Sequence, residues 1–344
     1  MRKLFYTTII SLSVCIISLA QISEFKIVPT DGSADDWFGY SVSISGDFSI
    51  VGAIIDDDNG NMSGSAYIFK REGANWTEQQ KLIASDGSLE DNFGGSVSIS
   101  EDYAIVGAHA DDDNGTESGS AYIFIKDGTD WIELQKIKPS DGAQEDNFGT
   151  SVSISGDYTI IGAPLNNNNG ILTGSAYIFR RNDTNWIQEQ KLIASDGETL
   201  DSFGAFVSIS GNYAVVGAPF DNDKGFLSGS VYIFERDDTT WTEKQKLTAS
   251  DGTADDYFGS PVSISENYLI VGAPLDDDNG LNSGSAYIFR KDFTTWIEEQ
   301  KVISSDGDED DNFGHSVSIS DNYAIVSTYR KDNYTGSAYI FRKI

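Results

Sequence analysis

Runs of consecutive acidic residues recur along the chain, and they are the residues best suited to chemistry. Asp-Asp-Asp-Asn-Gly begins at positions 56, 111 and 276, and a shorter Asp-Asn-Asp run begins at position 221. Carboxylate and amide oxygens are the hard ligands that Ca²⁺ takes, typically about 6 to 8 of them. The pattern therefore predicts Ca²⁺ as a cofactor, with these ligands: Asp56, Asp58, Asn59, Asp111, Asp113, Asn114, Asp221, Asp223, Asp276, Asp278 and Asn279.

The same residue types have a structural interpretation, because Asp, Asn and Gly are ordinary turn formers. An Asp-Gly-x-x-x-Asp loop that recurs in every copy is better explained as a turn, since every copy needs the same turn. Three successive acids exceed what a turn requires, which keeps the calcium interpretation ahead for that loop. The third copy, residues 166–169, contains only Asn and is expected to bind weakly if at all. The sixth replaces the loop with residues 330–332 and is not expected to bind.

These loops belong to a repeat of 55 residues that occurs six times. Phe-Gly pairs begin at 38, 93, 148, 203, 258 and 313, and a Gly-Ser-(Ala or Val)-Tyr-Ile-Phe block begins at 64, 119, 174, 229, 284 and 336. Each repeat contains four strand-like stretches with period-two alternation, divided by Gly, Asp and Asn. This predicts an all-β fold, a six-bladed β-propeller of four-stranded antiparallel blades, with repeats starting near 31, 86, 141, 196, 251 and 306.

The two ends of the chain complement each other. The sixth repeat stops before its fourth strand, and residues 24–28 (Glu-Phe-Lys-Ile-Val) align with residues 299–303 (Glu-Gln-Lys-Val-Ile) of the fifth repeat. We therefore expect the N-terminal strand to complete the last blade and close the ring, which removes exposed sheet edges. The Trp of each fourth strand is expected to pack against the neighbouring sheet, and the Ser-rich first strand to lie nearest the axis.

The N-terminal segment, the cysteine count and the net charge indicate the cellular location and limit the possible partners. Residues 1–20 are interpreted as a signal peptide, with Arg2 and Lys3 before an apolar run and small residues up to Ala20; an uncleaved anchor is the alternative. The only cysteine, Cys15, lies in this segment, so residues 21–344, one propeller domain, are expected to have no disulfide. The formal net charge of −31 repels polyanions, which argues against a nucleic-acid partner.

The pair Phe203-Gly204 together with Gly217-Ala218-Pro219 resembles the FG-GAP repeat family, the blades of integrin α-subunit propellers, and most closely its bacterial version. The resemblance covers nearly all of residues 24–344 and implies an extracellular propeller for binding or adhesion, often with Ca²⁺ in its loops. One feature departs from it. Integrin-type blades carry their calcium loop between the first two strands, where this chain has only a tight turn at residues 155–158.

We therefore expect a secreted or cell-surface, non-enzymatic binding module. Its acidic loop face would contact an extracellular protein or glycan, and the mature chain would be a monomer without a membrane span. No Ser/His/Asp set or Cys nucleophile suggests itself, so no catalytic residue is predicted. The alternatives are a hydrolase or lyase that uses carboxylates at the channel mouth, and a passive structural scaffold.

Overall fold

The structure is a computed structural model that describes residues 25–167, 172–320 and 322–342. The predicted signal peptide lies outside the described residues. Six antiparallel sheets follow one another along the chain, and within each sheet the strands pair in sequence order. Five sheets have four strands, and the sixth has three. The predicted six-bladed, all-β propeller is confirmed.

Each blade is built from consecutive strands of the chain. The first blade contains β1 (Phe38–Ser45), β2 (Phe48–Ala53), β3 (Ser65–Glu72) and β4 (Asn75–Leu82), and the second contains β5 (Phe93–Ser100), β6 (Tyr103–Ala108), β7 (Ser120–Asp127) and β8 (Asp130–Ile137). The third contains β9 (Val152–Ser155), β10 (Tyr158–Ala163), β11 (Ser175–Asn182) and β12 (Asn185–Leu192), and the fourth contains β13 (Phe206–Ser210), β14 (Tyr213–Ala218), β15 (Ser230–Asp237) and β16 (Thr240–Leu247). The fifth contains β17 (Val262–Ser265), β18 (Tyr268–Ala273), β19 (Ser285–Asp292) and β20 (Thr295–Val302), and the sixth contains β21 (Ser316–Ile319), β22 (Tyr323–Thr328), the short helix α1 (Lys331–Tyr334) and β23 (Ser337–Arg342).

The alternation of Ser with Val or Ile in each first strand has a packing reason. The Ser side chain accepts a hydrogen bond from the first strand of the next blade, as in Ile99 N to Ser43 Oγ (3.1 Å) and Ile154 N to Ser98 Oγ (3.1 Å). A short polar side chain thus satisfies a backbone donor where the sheets converge. The first strands of successive blades are neighbours, as expected for the innermost strands of a propeller.

The outer strands pack through aromatic side chains. Trp131 is buried and meets Phe48 of the preceding blade edge-to-face, with ring centroids 5.7 Å apart. Tyr103 and Trp186 repeat the contact at 5.9 Å in the next pair of blades. Such edge-to-face pairs are favourable beyond the apolar area that they bury. The prediction that the Trp packs against the neighbouring sheet is confirmed.

The Gly of the Phe-Gly pair is required by close approach between blades. Gly94 has a φ of 90°, and a Cβ atom there would lie 2.2 Å from the carbonyl oxygen of Ser65. Gly52, of the preceding blade, is equally constrained, because its Cβ would lie 2.0 Å from the oxygen of Gly94. Only glycine allows the backbones of adjacent blades to approach this closely.

The N-terminal strand is not formed in the described residues. Residues 25–29 have no strand partner, and the sheet of the sixth blade ends at β23. Closure of the ring is therefore not shown. In the described part of the chain, no helix has the length and apolar character needed to span a membrane.

Candidate functional site

Each of the first five blades brings four segments together at one face: the loop that enters the first strand, the loop between strands two and three, the start of strand three and the end of strand four. In the second blade they deliver Asp86, Asp111, Asp113, Tyr122 and Lys136. The Lys136 Nζ atom lies 2.8 Å from Asp86, 2.8 Å from Asp111 and 2.7 Å from Asp113, measured to a carboxylate oxygen in each case. We call this set the lysine cluster of the blade.

A tyrosine orients the acids around the lysine. The Tyr122 hydroxyl lies 2.9 Å from Asp86 and 3.0 Å from Asp111, and the ammonium of Lys136 lies 5.2 Å from the centre of its ring. The second Asp111 oxygen accepts hydrogen bonds from the Asp113 backbone and the Ser120 hydroxyl. Buried polar groups that are satisfied in this way specify one geometry for the cluster.

The electrostatics follow from these contacts. Burial works to raise the pKa of Asp86, but hydrogen bonds from Lys136 and Tyr122 outweigh it and hold the pKa below its usual value. Burial works to lower the pKa of Lys136, but its hydrogen bonds to Asp111 and Asp113 raise the pKa above the ordinary lysine value. The lysine is therefore a fixed cation, and Asp86 and Asp113, whose pKa values are both lowered, stay ionised at neutral pH.

The first, fourth and fifth blades repeat this arrangement. In each, the lysine of strand four contacts the first Asp of the entering loop and the first and third residues of the acidic run in the following loop, with N···O distances between 2.5 and 3.0 Å. These clusters comprise Lys81 with Asp31, Asp56 and Asp58; Lys246 with Asp196, Asp221 and Asp223; and Lys301 with Asp251, Asp276 and Asp278.

The third and sixth blades keep a lysine but change its partners. Lys191 contacts Asp141 at 2.6 Å and the side-chain oxygen of Asn166 at 2.9 Å. In the sixth blade Lys331, which stands at the position of Asp276 in the fifth, is buried and lies 3.0 Å from Asp311. The lysine cluster thus persists even where the acidic run is lost.

The predicted calcium ligands are brought together only in part. Their Asp side chains line the lysine clusters, but the amide nitrogen of Asn59 lies 3.3 Å from the oxygen of Ala84 and 3.4 Å from that of Gly87, in the turn of the next blade. Asn114 lies beside the equivalent Gly142, and Asn279 lies beside Gly307. The Asn59 amide therefore donates to the turn of the next blade.

In the second blade the three carboxylates already surround the ammonium group of Lys136, which would compete with a Ca²⁺ ion for the same oxygens. Among the described residues, no three His, Cys, Asp or Glu side chains are grouped so that they could hold a metal ion. The calcium prediction is untested by this geometry and stays a prediction, with the lysine as its competitor for the same oxygens.

In the second to fifth blades a further buried acid lies near the lysine cluster, and the lysine of the cluster does not contact it. In the fourth blade this is Asp201, which is buried, and one of its carboxylate oxygens has no hydrogen-bond partner. Burial raises its pKa to about 6, opposed by the backbone N–H of Glu198 and reinforced by the charge of Asp221. Burial likewise raises the pKa of the equivalent Asp91, Asp146 and Asp256.

A further set of acids is exposed on the same face. Glu90 and Glu145 stand in the entering loops with φ near 68° and 67°, a left-handed conformation that Glu rarely adopts. Their side chains are exposed and contact no lysine of the clusters. An acid stands at this position in five of the blades: Asp35, Glu90, Glu145, Asp255 and Asp310. A left-handed turn accommodates Asp readily, but it does not explain the two Glu side chains.

The lysines of the clusters are not among the site residues predicted from the sequence. They stand in the fourth strand, where a Gln-Lys pair looks like the polar residues that usually face solvent. A signal was present, because Lys81, Lys136, Lys191, Lys246 and Lys301 recur at the same interval as the Trp. The end of the fourth strand also lies on the face that carries the acidic loops, so a lysine that recurs there is expected to contact their carboxylates.

Comparison with known proteins agrees with this architecture. A family model described as FG-GAP repeat matches residues 23–69, 76–124, 131–179, 186–234, 241–289 and 296–341. Among solved structures, a protein described as a candidate 6-phosphogluconolactonase from Bacteroides fragilis NCTC 9343 is similar at 10% identity and a TM-score of 0.53, covering 88% of this chain and 84% of that one. Saccharomyces cerevisiae Sqt1 aligns at 10% identity and a TM-score of 0.46, covering 89% and 86%. The likeness to the Bacteroides fragilis protein concerns the fold alone. No curated protein matches the chain.

Proposed function

The chain belongs to the FG-GAP repeat family, and from that premise we propose that it is an extracellular, non-enzymatic binding module whose acidic loop face contacts a protein or glycan partner. The observation that carries this proposal is the row of exposed acids in left-handed turn positions. A Glu at such a position costs backbone energy that a Gly or Asn would avoid. The presence of Glu side chains at such exposed positions favours a role in contact with a partner.

The arrangement of the buried acids supports a binding role over a catalytic one. Acid–base catalysis uses two carboxyls whose environments push their pKa values apart at one place. Here the second, fourth and fifth blades each pair a lysine-held acid of lowered pKa with a buried acid of raised pKa, so the same pairing recurs around the ring instead of at one distinctive place. The excess of acid over base on this face would attract a partner with basic groups and raise its association rate.

The proposal is tested with a charge-matched pair of variants. The first carries Glu90→Gln, Glu145→Gln, Asp255→Asn and Asp310→Asn on the acidic face. The second carries Asp127→Asn, Asp130→Asn, Asp237→Asn and Asp292→Asn, which are exposed at the hairpins between strands three and four. Both sets remove four charges, so they differ only in which face they alter.

Binding is measured on immobilised deca-lysine peptide and on a panel of neutral and acidic glycans. We expect the first variant to lose at least tenfold in affinity for whichever probe the native chain binds, and the second to lose much less. Equal losses would contradict the proposal, since they would indicate unspecific attraction. Turnover of a glycan that Asp201→Asn abolishes would favour the enzyme alternative.

A further inference from the structure

The fourth blade presents apolar side chains on the face that carries the acidic loops. Leu200, in the loop that enters its first strand, is 54% exposed. Phe220 and Phe226, in the loop between strands two and three, are 39% and 67% exposed. The second blade has Glu90 and Thr116 at the positions of Leu200 and Phe226. The apolar character therefore belongs to the fourth blade and is not a general property of the repeat.

Leu200 is the clearest departure from the repeat. It stands at the loop position where the other five blades have an acid, and its φ is 73°, in the left-handed region that a bulky residue rarely adopts. More than half of its side chain is exposed, so packing within the chain accounts for only part of it. Contact with a partner would bury the remainder, and exposed apolar surface of this kind is typical of interaction sites.

Backbone hydrogen bonds and one ring contact join the exposed side chains into a single surface. Phe220 donates its N–H to the oxygen of the residue that follows Leu200, at 3.3 Å. The Phe220 ring meets Tyr257 of the fifth blade edge-to-face, with ring centroids 5.4 Å apart. Tyr257 in turn donates its N–H to the oxygen of the residue that follows Phe226, at 3.1 Å. We call Leu200, Phe220, Phe226 and Tyr257 the apolar patch.

Exposed carboxylates stand next to the apolar patch. Glu198 lies two residues before Leu200 in the same loop, and Asp255 lies two residues before Tyr257 and donates its N–H to the oxygen of Phe226 at 2.7 Å. Lys224, also exposed, offsets one of these charges. The chain as a whole has a formal net charge of −31. The surroundings of the patch therefore attract a partner with basic groups.

We propose that the apolar patch anchors a protein partner through a segment whose apolar side chains are flanked by Lys or Arg. This inference rests on the proposed function, and it names the part of the acidic face that is used and the class of partner. Protein interfaces commonly combine an apolar centre, rich in aromatic side chains, with a polar rim. A neutral glycan would not complement the charge of this rim.

Two peptides test the proposal on the full chain. Both consist of Lys and Gly with the same number of lysines, and they differ only at two central positions, which are Leu in one peptide and Ser in the other. Binding of the fluorescently labelled peptides is measured by anisotropy at one fixed ionic strength, because salt screens the attraction between charges. Since both peptides carry the same charge, a difference in their affinities reports the apolar contact.

The test variant carries Leu200→Glu and Phe226→Thr, the residues that the second blade has at these positions. Leu200→Glu adds a negative charge, so weaker electrostatic attraction cannot explain a loss of peptide binding. The control variant carries Leu89→Thr and Leu281→Asn, which remove leucines that are 59% and 55% exposed in loops outside the apolar patch. Thermal melts verify that both variants fold.

We expect the native chain and the control variant to bind the Leu peptide about tenfold more tightly than the Ser peptide, and the test variant to bind both alike. A preference for the Leu peptide that survives in the test variant, or that the control variant loses equally, would overturn the proposal. Patch-dependent dimerisation of the native chain in sedimentation would also overturn it, in favour of a second copy as the occupant.

The same measurements separate this inference from the proposed function. If the native chain binds both peptides equally, and neutralising the exposed acids of the acidic face weakens both, the apolar patch is not an anchor but the acidic face still binds. If the native chain binds neither peptide and no glycan of the panel, the proposed function fails and this inference fails with it.

Discussion

The lysine clusters of the second and third blades have the same lysine and tyrosine but different acids. Lys136 is surrounded by three carboxylates, whereas Lys191 contacts one carboxylate and one amide oxygen. The surrounding strands are the same in both blades. The cation is therefore the constant part of the cluster, and the acids are the variable part.

The sixth blade supports this interpretation. There a lysine replaces the first acid of the loop, and Lys331 binds Asp311 from the opposite side of the cluster. Tyr339 still donates to Asp306, as Tyr122 does to Asp86. A cation, an acid and a tyrosine are therefore kept although the residue that supplies the cation has moved to another element.

The largest expected effect comes from removing the cation of an acid-rich cluster. Lys136→Met leaves Asp86 and Asp111 without their counter-charge and Asp113 with Lys138 alone, so we expect a loss of about 3–5 kcal/mol in the free energy of unfolding. The control is Lys138→Met, because Lys138 also contacts Asp113, at 3.1 Å, but is more exposed. That pair should contribute about 0–1 kcal/mol. Denaturant titration of both variants measures the difference, and equal losses would contradict a central role for Lys136.

The same variant tests whether Lys136 and Ca²⁺ compete for the same carboxylates. Without the ammonium group, the three carboxylates of the second blade offer Ca²⁺ an empty set of oxygens. We expect Ca²⁺ at about 100 times its Kd to return about 2–3 kcal/mol to Lys136→Met and much less to the native chain. Thermal melts with Ca²⁺ and with chelator measure this. A large rise in the native Tm would show instead that Ca²⁺ displaces the lysines.

A smaller effect is expected from making the third blade resemble the second. Asn166 donates to Asp146 at 2.7 Å while its oxygen accepts from Lys191. Asn166→Asp turns that donor into a second carboxylate, so we expect a loss of about 1–2 kcal/mol at pH 7. The loss should shrink as the pH falls, because burial already raises the pKa of Asp146 and its protonation would remove the repulsion between the two carboxylates. The mirror variant Asp111→Asn should not show this pH dependence.

Much of the fold was predictable because the repeat shows each constraint several times. Period-two alternation indicated the strands, and the recurring Phe-Gly and Trp positions indicated close approach and outer packing. The lysine clusters were not predicted, because they join four segments that are distant in sequence and because a lysine in an outer strand looks like a solvated residue. The aligned N-terminal segment suggested closure, but local pattern does not determine whether β23 accepts it.

The smallest effect, of opposite sign, is expected at the acid that no lysine neutralises. Asp201 has a folded pKa of about 6, against an ordinary value of 3.8, so the folded state binds the extra proton between these values. Its contribution to stability therefore rises as the pH falls from about 7 to 4. The pKa of Asp196 is lowered by Lys246 and Tyr232 despite burial, so its contribution is lost as the pH falls below its ordinary value. Asp201→Asn should thus raise the free energy of unfolding by about 1 kcal/mol at pH 7, and the stability of this variant should increase less as the pH falls. Asp196→Asn should instead lower the free energy of unfolding. Denaturant titrations between pH 4 and 8 check both, and a stability loss in Asp201→Asn at pH 7 would show that its carboxylate has a cation partner in solution.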